Sequence, residues 1–129
     1  MGNALSPTAV IADDDDDIRA LIRISAKRAG LEVISEAVDG NQAWAAIKSE
    51  VPDLAILDVA MPGYTGLQIC ELVRADSALD GVQILLVSAA ADDSSIAAGI
   101  RAGAADYLSK PFSPRELASR LAAHIGGNR

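Results

Sequence analysis

The sequence contains few cysteines, few aromatic residues and no long apolar runs. Cys70 is the single cysteine among 129 residues, so no disulfide can form within the chain. A chain without disulfides suits a reducing compartment, and we expect a cytoplasmic protein. Aromatic residues make up 3% of the chain, whereas 50% of it is apolar. The core must therefore consist mainly of Ala, Leu, Ile and Val side chains, which can be buried without a structural metal.

Positive charge is also scarce. The 11 Lys and Arg residues are outnumbered by 18 Asp and Glu residues, which gives a net charge of -7. Direct binding to nucleic acid or to an anionic membrane requires a basic face, so we expect neither. The longest apolar runs have about four residues, as in ILLV at 84–87, whereas a membrane span takes ~20 residues. No basic segment followed by an apolar stretch opens the sequence, so we expect no signal peptide.

Short apolar segments alternate with stretches of helical periodicity. The apolar segments are rich in Val, Ile and Leu and lie at 8–12, 33–37, 54–57, 82–87 and 106–108. Helical spacing predicts helices over 18–29, 40–50, 66–73, 92–103 and 117–125. This alternation is typical of βαβ units around a parallel sheet. We expect an α/β protein at residues 8–126, between a leader at 1–7 and a tail at 127–129. If its strand order is 2-1-3-4-5, as in a flavodoxin-like (βα)5 fold, the first and third strands are neighbours.

Polar residues follow the ends of four predicted strands. Asp13 and Asp14 follow the first strand, Asp58 the third, Ser88 the fourth and Lys110 the fifth. The carboxyl ends of parallel strands form the ligand-binding edge, where the three carboxylates should converge. Carboxylates this close need positive charge, which Lys110 and a hard divalent ion such as Mg²⁺ can supply. A carboxylate can also act as a covalent nucleophile toward phosphorus.

Four segments resemble the receiver domains of bacterial two-component response regulators, including those of chemotaxis. The segments are VIADDDDDIR at 10–19, PDLAILDVAMPG at 52–63, LLVSA at 85–89 and GAADYLSKPF at 103–112. They occur in the order and at the intervals typical of that family, and the likeness covers residues 8 to about 125. The resemblance implies a signalling switch that is controlled by phosphorylation.

The resemblance implies roles for the residues that would handle the phosphoryl group. Asp58 would accept it from a histidine kinase or a phosphotransfer protein. Lys110 would hold the phosphoryl oxygens, and Ser88 would donate its hydroxyl with help from the backbone amide of Ala89. Tyr107 would move between outward and inward positions as Ser88 moves. The bond between Lys110 and Pro111 is often cis in such domains.

The resemblance also implies a Mg²⁺ site. Asp14 would bind the ion directly, and Asp13 would act partly through water. Asp58 and the backbone carbonyl of Ala60 would complete the protein's share of the ligands.

The resemblance implies that the phosphorylated receiver acts on an output partner or on a missing effector domain. The resemblance implies that the fourth helix, fifth strand and fifth helix form the face that changes, since Tyr107 and Ser88 lie beside it. Some charged groups on this face would suit a dimer, namely Asp106, Glu116 and Arg120. Ile96 stands where a basic partner is expected, so we expect a monomer, or a weak dimer through this face, before phosphorylation.

Some acidic and titratable residues have simpler interpretations. Asp15, Asp16 and Asp17 follow the first strand where a helix begins, and Asp is favoured at N-caps and in first turns. A calcium loop is disfavoured because the run from Asp13 lacks Gly at the sixth position and Glu at the twelfth. His124 has no evident partner, and we assign it no role.

Two other functions compete with the switch. An aspartate-based phosphatase of the haloacid dehalogenase type would carry a second Asp two residues after the nucleophile as general acid, but Ala60 stands there. A degenerate receiver that acts only as a docking module would usually have lost the acidic pair, the acceptor or the lysine, and all are present. We therefore expect no enzyme, but a protein that catalyses only its own phosphoryl acceptance and slow hydrolysis.

Overall fold

Strands and helices alternate along the chain, as the periodicity predicts. The computed structural model describes residues 6–126. The strands are β1 (Thr8–Ala12), β2 (Glu32–Ala37), β3 (Leu54–Asp58), β4 (Gln83–Ser88) and β5 (Asp106–Ser109). The helices are α1 (Asp16–Arg28), α2 (Gly40–Glu50), α3 (Gly66–Arg74), α4 (Asp93–Ala102) and α5 (Pro114–Gly126), and a 3-10 turn spans Ser77–Leu79. Most of the predicted leader, residues 1–5, and the predicted tail at 127–129 lie outside the described residues.

The five strands form one parallel sheet of order β2-β1-β3-β4-β5, which confirms the predicted flavodoxin-like topology. Ala12 at the end of β1 pairs with Leu57 of β3, so Asp13 and Asp58 follow at the same edge of the sheet. Asp58 in turn pairs with Val87, directly before Ser88. The register therefore places the ends of β1, β3 and β4 side by side.

Two apolar cores cover the two faces of the sheet. One face packs α1 and α5 against the strands through Ile22, Leu117 and Leu121. The other packs α2 and α3, with α4 at its side, through residues such as Ile47 and Ile69. All five residues of β3 are buried, as in a strand covered on both faces, whereas the mixed strand β2 lies at the edge. Among residues 6–126, no helix combines the length and the apolarity needed to cross a lipid bilayer.

Local capping sets where the helices begin. Asp15 accepts hydrogen bonds from the backbone N–H groups of Asp17 and Ile18, which starts α1 as predicted for this part of the acidic run. Thr65 and Gln68 form a reciprocal capping box at the start of α3. Bonds from Ser94 and Ser95 to the α4 N-cap, Asp92, lower the pKa of that carboxyl to about 2. These caps fix the turns that follow β1, β3 and β4.

Candidate functional site

The turn after β1 places one carboxylate inside the protein and the next one outside. Asp13 is fully buried, and its backbone N–H donates to the carbonyl of Ala37 over 3.2 Å. Its Oδ1 accepts from the backbone N–H of Asp15 over 2.9 Å, which closes the turn. Asp14 is exposed at the mouth of the site. The two neighbouring carboxylates therefore meet different surroundings.

Asp58 ends β3 and is 4% exposed. Its Oδ1 accepts a hydrogen bond from the backbone N–H of Ala60 over 3.3 Å. The loop that follows turns back closely, because Gly66 donates its N–H to the carbonyl of Val59 over 3.0 Å. A Cβ atom at Gly66 would lie 2.8 Å from the carbonyl oxygen of Asp58, so this return requires glycine. The loop after β3 is thus held against the end of the strand.

Lys110 brings a positive charge from the end of β5 to both buried carboxylates. Its Nζ lies 3.1 Å from Oδ2 of Asp13 and 3.4 Å from Oδ1 of Asp58. Its backbone N–H donates to the carbonyl of Ser88 over 2.8 Å, and its bond to Pro111 is cis, as expected. The structure therefore brings together Asp13, Asp14, Asp58 and Lys110, which we call the acidic cluster.

Burial and crowding shape the charges of the acidic cluster. Burial raises the pKa of Asp58, the charge of Asp13 raises it further, and Lys110 offsets only part of this effect. For Lys110, burial lowers the pKa, but the two carboxylates outweigh burial and leave its pKa raised. The cluster thus has three carboxylates and one ammonium group, which pairs with Asp13 and Asp58, so its formal charge is negative.

The acidic cluster fits a hard divalent cation. One oxygen from each of Asp13, Asp14 and Asp58 lies within 4.8 Å of the others. Oδ2 of Asp13 is buried, and apart from its ion pair with Lys110 no donor in residues 6–126 bonds it with hydrogen-bond geometry. A buried carboxylate oxygen without a directed donor is a suitable metal ligand, and an all-oxygen set favours Mg²⁺.

Ser88 and Tyr107 lie together beside the acidic cluster. The hydroxyl of Ser88 accepts from the backbone N–H of Ala90 over 3.0 Å, and the hydroxyl of Tyr107 donates to the carbonyl of Ala90 over 2.7 Å. The side chains of Ser88 and Tyr107 are buried, whereas Ala89, which lies between Ser88 and Ala90 in the chain, is exposed. A cavity of about 210 Å³ lies between them and α4, with Ser95 and Ala98 in its wall. Ala90 therefore links the end of β4 to the Tyr107 ring.

Sequence reasoning missed three contacts, one in the turn after β1 and two at the amino end of β5. Arg19 of α1 donates from Nη1 to the carbonyl of Asp13 over 3.0 Å. On β5, Asp106 accepts from Nη1 of Arg120 over 2.8 Å and lies 3.1 Å from Nε2 of His124. The expectation that His124 has no partner was therefore wrong, because α5 places it one turn beyond Arg120 on the same face. The i, i+4 spacing of these two basic residues was the signal for a shared acidic partner.

The sequence and the structure are similar to those of known response regulators. Residues 9–122 match the response regulator receiver domain family. The DNA-binding response regulator MtrA of Mycolicibacterium smegmatis is 35% identical over 119 residues, which cover 92% of this chain and 50% of MtrA. The phosphate regulon transcriptional regulatory protein PhoB of Pseudomonas aeruginosa is 37% identical over 90% of this chain and 50% of its own. The chain thus spans about half the length of the curated relatives it matches.

A solved structure supports the same conclusion about the fold. The chemotaxis response regulator CheY4 of Vibrio cholerae superposes with a TM-score of 0.83 at 30% sequence identity. The alignment covers 92% of this chain and 98% of that chain.

Proposed function

Since this chain belongs to the family of response regulator receiver domains, we propose that it is a signalling switch that accepts a phosphoryl group on Asp58. One observation carries the proposal: a buried carboxylate at the end of β3 lies 3.4 Å from the ammonium of Lys110, beside two further carboxylates. A histidine kinase or a phosphotransfer protein is the proposed donor, as for other receivers.

The residues of the acidic cluster would hold Mg²⁺. Asp14 is exposed and would bind the ion directly, Asp58 would contribute one oxygen, and the buried Asp13 would act partly through water. The backbone carbonyl of Ala60 would complete the protein's ligands. Bound there, Mg²⁺ would neutralise negative charge on the oxygens of a transferring phosphoryl group.

The chain's own residues perform the transfer. A carboxylate oxygen of Asp58 forms a bond to phosphorus while the bond from phosphorus to the donor's leaving atom breaks, which yields an aspartyl phosphate. Lys110 already lies between Asp13 and Asp58, so its ammonium can follow the new negative charge without a large movement. The loop after β3 keeps Asp58 in place through the Ala60 N–H bond.

The signal would leave the site through Ser88 and Tyr107. The Ser88 hydroxyl accepts from Ala90 in the unmodified protein and would turn to donate to the phosphoryl group, with help from the Ala89 amide. Ala90 also holds the Tyr107 hydroxyl, so a movement there would release or draw in the ring and repack the face of α4, β5 and α5. We propose that this face regulates an output partner or effector domain, with the chain a monomer or a weak dimer.

Turnover of external substrates is disfavoured at this site. Ala60 occupies the position two residues after Asp58, and its side chain cannot protonate a leaving group. The same geometry therefore favours a stable acceptor with slow self-hydrolysis over a phosphatase.

The proposal is tested by intact mass after incubation with acetyl phosphate and Mg²⁺. We expect one phosphoryl group on the wild type and none on Asp58→Asn. Asp80→Asn serves as the control because Asp80 is an exposed acidic residue in the 3-10 turn region, away from the acidic cluster. An adduct that persists in Asp58→Asn would show that another residue is the acceptor.

A further inference from the structure

The side chain of Arg19 extends from α1 to the turn that carries Asp13 and Asp14. Its Nη1 donates to the carbonyl of Asp13 over 3.0 Å, and this carbonyl belongs to the peptide group that joins Asp13 to Asp14. We propose that Arg19 is a positioning residue that fixes this peptide group and so presents Asp14 to a divalent cation. The inference rests on the proposed metal site in the acidic cluster.

The guanidinium group of Arg19 is itself held in one orientation. Its Nη2 lies 2.8 Å from Oδ1 of Asp16, and its Nε lies 3.4 Å from Oε1 of Glu36 on β2. Glu36 in turn accepts two bonds from Arg23, over 2.6 and 2.8 Å. Three nitrogens of one planar group therefore contact three different partners, which the single nitrogen of a lysine cannot reproduce.

Arg19 differs from a solvated surface arginine in two respects. Its side chain is only 14% exposed, and one of its N–H groups donates to a backbone carbonyl instead of a carboxylate. Asp14 is exposed, so the direction of its carboxylate depends on the backbone from which it projects. Fixing that backbone before the cation arrives removes an ordering cost from binding.

The direction in which Mg²⁺ affinity changes on removal of Arg19 distinguishes a positioning role from an effect of its charge. A positive guanidinium beside a cation site opposes binding through space, so its removal should tighten Mg²⁺ binding if charge alone mattered. A loss of Mg²⁺ affinity in a folded Arg19 variant therefore points to the geometry of the turn and not to the charge of Arg19.

The test is a Mg²⁺ titration of three variants, Arg19→Gln, Arg19→Lys and Arg23→Gln. Binding is measured by calorimetry and by the NMR signals of the backbone amides of Asp14 and Asp15. We expect Arg19→Gln to weaken Mg²⁺ binding about tenfold, as is usual when a group that orients a metal ligand is lost. The two amide signals should also move in the metal-free spectrum. Arg23→Gln is the matched control because Arg23 is on the same helix, carries the same charge and also pairs with Glu36. Its Mg²⁺ affinity should stay within about twofold of the wild type, as for a solvent-screened charge.

Arg19→Lys decides whether charge or shape matters. We expect it to bind Mg²⁺ as weakly as Arg19→Gln, and its thermal unfolding serves as a check on folding if the glutamine variant is unstable. Unchanged or tighter Mg²⁺ binding in Arg19→Gln, or wild-type binding in Arg19→Lys, would overturn this inference alone. A wild-type protein that takes up no Mg²⁺ would overturn the proposed function and this inference together.

Discussion

Two groups of charged side chains at the carboxyl and amino ends of β5 differ in how well their carboxylates are neutralised. In the acidic cluster, three carboxylates lie together and the single ammonium of Lys110 pairs with two of them, Asp13 and Asp58. In the second group, which we call the β5–α5 cluster, the one carboxylate of Asp106 meets both Arg120 and His124. The first group has a surplus of negative charge, and the second is balanced within the chain.

The pKa values of the two central carboxylates move in opposite directions. Burial and then the charge of Asp13 raise the pKa of Asp58. Burial also raises that of Asp106, but hydrogen bonds from His124, the Tyr107 N–H and Arg120 outweigh it, so the pKa is lowered. A bound cation can neutralise the negative charge that remains in the acidic cluster. The β5–α5 cluster is already balanced and holds α5 against β5. The comparison separates the proposed binding site from a structural contact.

The largest expected effect comes from removal of the only ammonium in the acidic cluster. Without Mg²⁺, Lys110→Ala should lose about 2 kcal/mol of the free energy of unfolding, because two buried carboxylates lose their cation. Added Mg²⁺ should restore part of this loss and still allow phosphorylation, but beryllofluoride should no longer shift the NMR signals of Tyr107. Urea unfolding measures the first effect, with Lys27→Ala as an exposed control. Full wild-type stability or full shifts at Tyr107 would contradict the assignment.

Removal of a carboxylate from the same cluster should have the opposite effect on the metal-free protein. Asp14→Ala relieves repulsion, so its melting temperature without Mg²⁺ should be equal to or above that of the wild type. Its Mg²⁺ affinity should fall at least about tenfold, which corresponds to ~1.4 kcal/mol. Calorimetric titration and thermal unfolding on the same samples measure both quantities. Asp17→Ala is the control, because Asp17 is an exposed residue of the same acidic run. Unchanged affinity in Asp14→Ala would refute the metal site.

The smallest effect is expected in the β5–α5 cluster. At about pH 7, Asp106→Asn should lose at most ~1 kcal/mol of the free energy of unfolding, because Arg120 is 44% exposed and solvent screens the pair. The folded pKa of Asp106 is lowered, so its contribution is complete above the ordinary value of ~3.9 and is lost as the pH falls through the folded pKa.

Urea unfolding of wild type and Asp106→Asn at a series of pH values tests this sign. The difference between their free energies of unfolding should shrink only in the acid range. His124→Gln, which removes one of the two partners, should lose less than Asp106→Asn does at neutral pH. A difference that grows as the pH falls would show that the carboxylate is not stabilised by its neighbours.

Much of the fold could be predicted from the sequence because its signals are local. The alternation of apolar segments and helical spacing gave five strands and five helices, and the mixed character of β2 matched its edge position. The order of polar residues at strand ends also predicted that Asp13, Asp14 and Asp58 converge. The shift of register between Ala9 and Val10 in the pairing of β1 with β2 could not be predicted, since it depends on how two distant segments meet.

By itself, the sequence determined the element types, the helix caps and the set of polar residues at the ligand-binding edge, since these follow from neighbouring side chains and from the parallel sheet. Only the tertiary structure decided which charges neutralise one another. Arg19 contacts the Asp13 carbonyl, and His124 contacts Asp106 across 18 positions of the chain, because the rotation of α1 and α5 on the sheet brings these groups together. Such contacts depend on distance and burial in the folded chain, which set the strength of a charge interaction and which local sequence does not encode.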